Sequence, residues 1–366
     1  MKRILYLLLM VIFILSGCSE LKGPPSVQPD IEEPDKLMTE PDDPPFPHVF
    51  KVDPSNFHFI ADWLNDSQIL YVEKNDSYYQ VKYFDIETGE SGSVYEDDAF
   101  IIDVLVHPSG DYFLVHTSEH ANAAVVKVVG MDGTVQHQVE IDSTELAIEW
   151  NRSNPDKILF TAFHEDWSFD LFVFDGLDEH LSLIELDDPF PKWAGDDKIM
   201  GMLVEGHPLD GGEVQLFHLE TGEIETVGIG NVIYFDAFED YFIAVQSIDE
   251  NAFSYSVRRF DGTVVSGWTL PAVSNYSEWV VPTIQWLDNA RLIVIGAEKS
   301  GQLDEMGAGF NLFLFDEGNP ELLMKGLDAG PLKCSPSGKY CLSGYTSDEL
   351  IDMSTKEKHK WIEFNN

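Results

Sequence analysis

A hydrophobic anchor, a tight polar turn and a second apolar run recur in this order along the chain. The clearest copy is Trp286–Ile293, with the sequence WLDNARLI, in which the new apolar run begins six or seven residues after the anchor. The anchors, in order, are Trp63, Val106, Trp150, Trp193, Phe238, Trp286 and Cys334. They are separated by 43, 44, 43, 45, 48 and 48 residues. A nearly constant period of this length predicts a repeat architecture.

Each repeat predicts four short β-strands. In the first repeat the runs are Phe57–Asp62, Gln68–Glu73, Tyr78–Phe84 and Ser91–Tyr95. They are rich in aromatic and β-branched residues and are bounded by turn-forming residues. A closing turn with Asp and Gly, such as 85–90, follows the third run of most repeats. The pattern predicts an all-β fold, a single β-propeller of four-stranded antiparallel blades. We expect the anchor and the residue seven positions later to point into the packing between blades.

The anchors predict seven blades, with six as the alternative count. The predicted blades are 53–97, 98–142, 143–188, 189–229, 230–275, 276–328 and 329–366. Residues 48–366 therefore form one propeller domain. His48–Val52 is a candidate strand that would pair beside the last blade and close the ring, although Lys358–Phe364 already supplies a fourth strand there.

Residues 1–17 have the composition of a signal peptide. A basic start, Met1–Arg3, precedes an apolar run of twelve residues, Ile4–Leu15, which is shorter than the roughly 20 residues of a membrane-spanning helix. The sequence Leu-Ser-Gly-Cys then ends at Cys18. It resembles the lipobox of bacterial lipoproteins, which implies cleavage before Cys18 and attachment of lipid, including a palmitate-type acyl chain, to that residue. The alternative is an ordinary signal peptide.

Residues 18–47 predict an acidic, proline-rich tether. Residues 19–47 contain eight prolines and eight acidic residues but few apolar ones, so they cannot bury enough surface to fold. Together with Cys18, they place the predicted propeller at the cell membrane, lipid-anchored on its extracytoplasmic face.

The formal net charge of −43 limits the class of partner. A nucleic-acid-binding protein needs a basic patch, whereas the Lys and Arg residues here are scattered, so we predict no nucleic-acid partner. Such acidity favours a basic or cationic protein or small molecule. The alternative is that the charge only keeps the surface solvated.

Cys334 and Cys341 are the two cysteines that follow Cys18. One is an anchor and the other lies seven residues later, so both should face the same side of one hairpin. Their spacing allows a disulfide in an oxidising exterior. The alternative is a pair of small buried hydrophobic residues.

Candidate ligand-binding residues lie in the predicted loops between second and third strands. His164 and Asp166 occupy one such loop, and His207 and Asp210 occupy the corresponding loop of the next blade. Neighbouring blades would bring these loops together, so the four side chains are predicted to hold a cationic ligand or one bridged by a divalent metal. Their spacing matches no metal-ligand motif, so no resident metal or cofactor is predicted.

The chain resembles the YqgU-like propeller lipoproteins of bacilli. The resemblance rests on the anchors, on the Asp/Asn or Pro-Ser-Gly turns, on the aromatic-Asp-x-x-Thr-Gly turns typical of TolB-type repeats, and on the lipobox with its acidic linker. It implies a lipoprotein propeller of no established activity. That family is described as six-bladed, whereas this chain has seven anchors.

Two classes of function remain. The first is a binding or scaffold module of unknown ligand. The second is an extracytoplasmic metal-assisted hydrolase or lyase that uses the acidic loop face. The sequence contains no Gly-x-Ser-x-Gly, His-Glu-x-x-His or Walker motif, and no catalytic residue can be assigned, which favours the binding module.

Overall fold

The chain forms a β-propeller in which each of the seven predicted anchors belongs to its own four-stranded antiparallel sheet. The computed structural model describes residues 46–365 except 121, 282, 289, 290, 317 and 318. The all-β prediction is confirmed, and these residues contain seven four-stranded sheets. Strand order in every such sheet follows the chain, as expected when successive strands are joined by hairpins.

The first four sheets cover residues 57–226. The first sheet consists of β2 to β5, at Phe57–Trp63, Gln68–Lys74, Tyr79–Asp85 and Ser91–Asp97. The second consists of β6 to β9, at Phe100–Val106, Tyr112–His120, Ala123–Gly130 and Val135–Asp142. The third consists of β10 to β13, at Glu145–Trp150, Lys157–Phe163, Phe169–Asp175 and His180–Ile184. The fourth consists of β14 to β17, at Lys192–Trp193, Lys198–Leu203, Glu213–His218 and Ile224–Thr226.

The last three sheets cover residues 232–360. The fifth consists of β18 to β21, at Val232–Phe238, Tyr241–Asp249, Ala252–Arg259 and Val264–Pro271. The sixth consists of β24, β25, β27 and β28, at Ile284–Trp286, Arg291–Ala297, Phe310–Asp316 and Asn319–Leu327. The seventh consists of β29 to β32, at Leu332–Cys334, Tyr340–Ser343, Glu349–Asp352 and Glu357–Lys360.

Two small sheets complete the fold. The first pairs β1 (Phe50–Val52) with β33 (Ile362–Phe364) in parallel. The second, which we name the insertion sheet, contains β22, β23 and β26, at Val273–Asn275, Glu278–Trp279 and Gly301–Gln302. The helical segments among the described residues are two three-residue 3₁₀ turns, Pro208–Asp210 and Leu303–Glu305. Neither is long or apolar enough to cross a membrane.

Seven separate hydrophobic clusters lie between neighbouring sheets, one at each junction. The cluster between the seventh and first sheets contains Trp63, Tyr340 and Trp361. Because that junction is packed like the other six, the sheets form a closed ring. Burial between sheets is therefore the main apolar stabilisation of each blade, since a single four-stranded sheet has no core of its own.

Five of the seven anchors are buried and the other two, Val106 and Phe238, are half-buried, but the residue seven positions later is not always the anchor's partner. Trp63 pairs across the hairpin with Ile69, six positions on, and both face the seventh sheet. Leu70 faces the second sheet instead. The same holds at Trp193 and Trp286, because successive strand residues point to opposite faces. The seven-residue relation is correct for Val106 and Cys334, whose turns are one residue longer.

The two ends of the propeller pair with each other beside the last blade. Phe50 opposes Ile362, and the Phe50 ring lies 4.6 Å from that of Tyr71 and 5.9 Å from that of Trp361. The segment that the sequence assigned to one fourth strand is divided in two. Residues 357–360 complete the seventh sheet, whereas residues 362–364 bind β1.

Candidate functional site

The propeller presents two faces of different construction. The turn face carries the anchor turns and the turns between third and fourth strands. The loop face carries the loops between second and third strands and the connections between sheets. On the turn face, Asp85 accepts hydrogen bonds from the backbone of Glu87 and Thr88 at 2.9 and 3.0 Å, as predicted for a closing turn.

On the loop face, His164 and Asp166 are engaged within their own hairpin. Nε2 of His164 lies 3.0 Å from Oδ2 of Asp170. Oδ1 of Asp166 accepts hydrogen bonds from the Ser168 hydroxyl and backbone N–H at 2.6 and 3.1 Å. These bonds from Ser168 lower the pKa of Asp166. Both side chains therefore shape the loop between β11 and β12.

His207 and Asp210 flank the short 3₁₀ turn of the next sheet. Nδ1 of His207 accepts a hydrogen bond of 3.2 Å from the Leu209 backbone N–H, and the Asp210 backbone donates to the His207 carbonyl at 2.8 Å. Within the described residues, no hydrogen bond or ion pair joins this loop to the His164 loop. No group of three or more His, Cys, Asp or Glu side chains in the same residues is placed to hold a metal ion.

The insertion sheet forms a cavity of about 360 Å³ on the loop face. β22 follows the fifth sheet and pairs in parallel with β26, which lies in the loop between β25 and β27 of the sixth sheet. Gln302 holds the walls together: its Oε1 accepts from the Tyr276 backbone at 3.0 Å, and its Nε2 donates to the Ser274 hydroxyl at 2.9 Å. The remaining wall includes Trp279, whose indole N–H donates to the Leu209 carbonyl at 2.9 Å. The cavity is thus lined by aromatic rings, amides and hydroxyls whose positions are fixed.

Exposed aromatic side chains are concentrated on the loop face. The three most exposed among the described residues are Trp167 at 92%, Tyr345 at 87% and Tyr276 at 75%. Trp167 and Tyr345 lie between second and third strands, and Tyr276 lies between β22 and β23. Phe190, exposed by 62%, lies in the connection from the third sheet to the fourth. Large aromatic side chains are enriched at protein interfaces, so their collection on one face distinguishes it from the other.

A second cavity, of about 460 Å³, opens among the anchor turns. Anchors from six of the seven sheets line it, which places it on the propeller axis. We name it the axial cavity. Its walls include Trp150, Phe238 and Trp286, together with Asp62 and Arg152.

Residues immediately before the anchors connect neighbouring sheets around this axis. Lys192 donates to Glu149 at 2.6 Å, and Lys333 donates to the Ala61 carbonyl at 2.7 Å. The Gln285 side chain makes two bonds to the Cys334 backbone. Oδ1 and Oδ2 of Asp62 accept from the backbones of Trp63 and Val106, at 2.8 and 3.3 Å. Burial raises the pKa of Asp62.

The sulfur atoms of Cys334 and Cys341 lie 1.95 Å apart, which is a disulfide. The two residues face each other directly across β29 and β30, within the cluster between the sixth and seventh sheets. The predicted signal peptide, Cys18 and residues 19–45 of the predicted tether lie outside the described residues. Phe46 and Pro47, which the sequence assigned to the tether, are described, and Pro47 is buried while the Phe46 ring packs against Tyr340.

Glu250, Asn251 and Gln302 of this cavity lie in loops between second and third strands, the class of loop in which the sequence placed its candidate site, but the sequence missed the connection that carries Tyr276 and Trp279. A signal was available. The two longest anchor separations, both 48 residues, are the ones that contain the two halves of the insertion sheet. Additional length in a repeat maps to a loop on one face, which is often the binding face.

Comparison with known proteins identifies similar chains. The family model described as the YqgU-like 6-bladed beta propeller domain matches residues 85–344. This range contains sheets two to six in full but only parts of the first and seventh sheets. The matched range therefore covers fewer complete blades than the seven that the structure contains. A relative named uncharacterized lipoprotein YqgU, from Bacillus subtilis (strain 168), is 24% identical over 302 residues, covering 82% of this chain and 83% of its own.

Solved structures share the fold. The crystal structure of an uncharacterized protein from Listeria monocytogenes EGD-e is similar with a TM-score of 0.81 at 17% identity, covering 88% of this chain and 99% of that chain. The β-propeller domain of the Trilobed protease from Pyrococcus furiosus gives a TM-score of 0.55 at 15% identity, covering 85% and 99%. At these identities the likeness concerns architecture alone.

Proposed function

This chain belongs to the family of YqgU-like β-propeller domains, and we propose on that premise that it is a lipid-anchored extracytoplasmic module whose loop face binds a protein with a basic surface. The lipid anchor is supported by the lipobox ending at Cys18 and by a relative that is named a lipoprotein. The rigid ring supports a role in presentation, because its loops vary without disturbing the packing between sheets.

The observation that carries this proposal is the concentration of exposed aromatic rings on the loop face. Trp167, Tyr276 and Tyr345 come from the third sheet, the insertion sheet and the seventh sheet, so they are spread around the ring. Aromatic side chains offer large contact areas and low loss of entropy on binding. Carboxylates lie close by, including Glu250 in the cavity wall and Asp304, which accepts a 2.8 Å hydrogen bond from the Tyr276 hydroxyl.

The first described residues of the propeller lie on the turn face. The Phe46 ring lies 5.2 Å from that of Tyr340, which begins the strand after the seventh anchor turn, and the His48 backbone donates to the Ile86 carbonyl in a closing turn. A basic partner suits both the local carboxylates and the formal net charge of −43, since Arg and Lys side chains also bind well over aromatic rings.

The test is chemical cross-linking of the full-length protein in membranes. Trp167→Ala, Tyr276→Ala and Tyr345→Ala combined should abolish the specific cross-linked protein, and salt should weaken the cross-link in the unaltered protein. Leu177→Ala is the matched control, because Leu177 is 76% exposed on the turn face. Retention of the partner by the triple variant, together with its loss in the control, would place the interface on the other face.

A second set of variants tests the residues predicted from the sequence. Alanine at His164, Asp166, His207 and Asp210 should weaken partner binding without unfolding the propeller, because all four lie in loops of the same face. Alanine at Asp196 and Asp197, in an anchor turn, should leave binding intact. The opposite pattern would contradict an interface on the loop face.

A further inference from the structure

The axial cavity contains one cation whose hydrogen-bond donors have no partner among the described residues. Arg152 follows the third anchor by two positions, and its guanidinium lies 5.4 Å from the centre of the Phe238 ring. No hydrogen bond or ion pair to another described side chain or backbone group engages it. A guanidinium carries five N–H donors in a fixed plane, so this group is left ready to bind an acceptor.

The other polar groups of the cavity are already used. Glu149 accepts from Lys192, the Gln285 amide is bonded at both atoms to the Cys334 backbone, and the Asp62 carboxylate accepts two backbone N–H groups. Close to Arg152 lies Asp236, beyond ion-pair distance. Burial raises the pKa of Asp236, and the charges of Lys192 and Arg152 offset only part of that rise.

A second donor in the wall is also unpartnered. The indole N–H groups of Trp63 and Trp193 donate to a carbonyl of the preceding sheet, at 2.8 and 2.9 Å. The equivalent indole nitrogen of Trp286 is buried and has no hydrogen-bond partner in the part of the chain that the structure describes. Buried polar groups without a partner are uncommon and costly, and they are often satisfied by a bound molecule.

We propose that the axial cavity binds a small organic anion, namely a carboxylate on an apolar or aromatic body, with the carboxylate on Arg152 and the body against the cavity wall that Trp150, Phe238 and Trp286 form. Arginine is the side chain best suited to a carboxylate, because its planar fork donates two parallel hydrogen bonds. A cavity of about 460 Å³ with aromatic rings in its walls and few free polar groups is typical of a small-molecule site.

The charge of the whole protein gives this site a distinctive salt dependence. With a formal net charge of −43, the surface repels an approaching anion at long range, while the contact with Arg152 is local. At 0.1 M salt, the repulsion between exposed charges that are more than about 10 Å apart is largely screened. The affinity for the anion should therefore fall little, or even rise, as the salt concentration is raised. The affinity for a basic partner on the loop face should instead fall.

The experiment is a calorimetric titration of the full-length protein in detergent, with empty micelles as reference. The probes are benzoate, benzamide and benzylammonium, which share a ring and differ in charge. We expect saturable binding of benzoate at one site, at least tenfold weaker binding of benzamide, and no binding of benzylammonium there. Absence of saturable benzoate binding, or equal binding of benzamide, overturns the proposal.

Variants locate the binding site. Arg152→Gln should weaken benzoate binding at least tenfold, and Arg152→Lys should give an intermediate loss because it keeps the charge without the fork. Arg259→Gln is the matched control, since Arg259 lies 5.4 Å from the Tyr241 ring in the same kind of contact outside the cavity. Equal weakening by Arg152→Gln and Arg259→Gln overturns the proposal. If Arg152→Gln does not fold, the affinity of the Arg152→Lys variant for benzoate tests the proposal instead. An unchanged affinity in that variant excludes a bidentate contact with Arg152 and overturns the proposal.

Discussion

The Nζ atom of Lys192 lies 2.6 Å from Oε2 of Glu149, and each residue stands immediately before an anchor tryptophan, Trp193 and Trp150. The pair links the innermost strands of two neighbouring blades, and the Trp193 indole donates to the Glu149 carbonyl at 2.9 Å beside it. One position of the repeat therefore joins blades through side chains, while the next position joins them through apolar packing.

This pair should contribute measurably to stability. Its side chains are 29% and 26% exposed, so we expect a coupling free energy of about 1–2 kcal/mol, larger than for a surface pair. A double-mutant cycle of Lys192→Met and Glu149→Gln, followed by chemical unfolding, measures it. The control cycle uses Lys356 and Glu321, which lie 2.9 Å apart but are 42% and 60% exposed. Equal coupling in both cycles would contradict the importance of the inner position.

Trp286→Ala should destabilise the propeller by about 3–5 kcal/mol, the usual cost of a large-to-small change in a core. Trp286 is 3% exposed and packs between the fifth and sixth sheets. Trp167→Ala, at the 92% exposed position, should change the free energy of unfolding by no more than about 0.5 kcal/mol. Chemical unfolding of both variants is the measurement, and a loss below about 1 kcal/mol for Trp286→Ala would be inconsistent with an anchor in the core.

The Cys334–Cys341 bond should be present in protein recovered from the cell exterior. Alkylation before and after reduction, followed by mass spectrometry, distinguishes the bonded pair from free thiols. Replacing both residues by Ser should cost about 2–3 kcal/mol from the entropy of closing so short a loop, in addition to lost packing. Full alkylation without reductant would favour the alternative of two small buried hydrophobic residues.

Cys18→Ser should release the protein from membranes into the medium. The expectation follows from the position of Cys18 directly after the apolar run, since lipid attachment needs its thiol. Washed membrane pellets and culture medium are compared by immunoblot. Ser19→Ala, next to the site, should stay with the membrane. A Cys18→Ser protein that remains in the pellet would indicate another means of attachment.

Asp236 should make the protein less stable as pH rises. Its pKa in the folded state is raised by burial above the value of about 3.9 in an unfolded chain, so between these values the folded state binds more protons. Stability contributed by the protonated form is therefore lost as pH rises through that window. Asp236→Asn retains the acceptor for the Ala237 backbone and should lose less stability than the unaltered protein as pH rises above about 4.

Asp166 should give the opposite dependence of stability on pH, and Asp166→Asn tests it. The bonds from Ser168 lower the pKa of Asp166, so its contribution is present above the unfolded value and is lost as pH falls. This variant should be slightly less stable than the unaltered protein at pH 7, and the difference should vanish under acid conditions. Chemical unfolding across the pH range tests both variants, and parallel curves for Asp236→Asn and the unaltered protein would contradict the assignment.

The amino-acid sequence by itself determined the propeller and the packing of its anchors between sheets, because a local signal recurs seven times. Trp63, Trp193 and Trp286 each begin the same short turn, and alternation along a strand fixes which face is apolar. The closing turns were equally local, since Asp85 bonds to the backbone two and three residues ahead. The pairing of Cys334 with Cys341 remained one of two alternatives, because spacing permits a disulfide without requiring it.

Tertiary structure alone decided where the cavities lie. Tyr276 meets Gln302 only because β22 and β26 pair across two blades, and Arg152 meets Phe238 only because the ring closes around its axis. Turn length also decided whether the anchor pairs with the residue six or seven positions later. One extra residue in the turn shifts the register of the second strand by one, which turns each of its side chains to the other face of the sheet. Contacts within a repeat were therefore predictable from the sequence, whereas contacts between repeats depended on the closed ring.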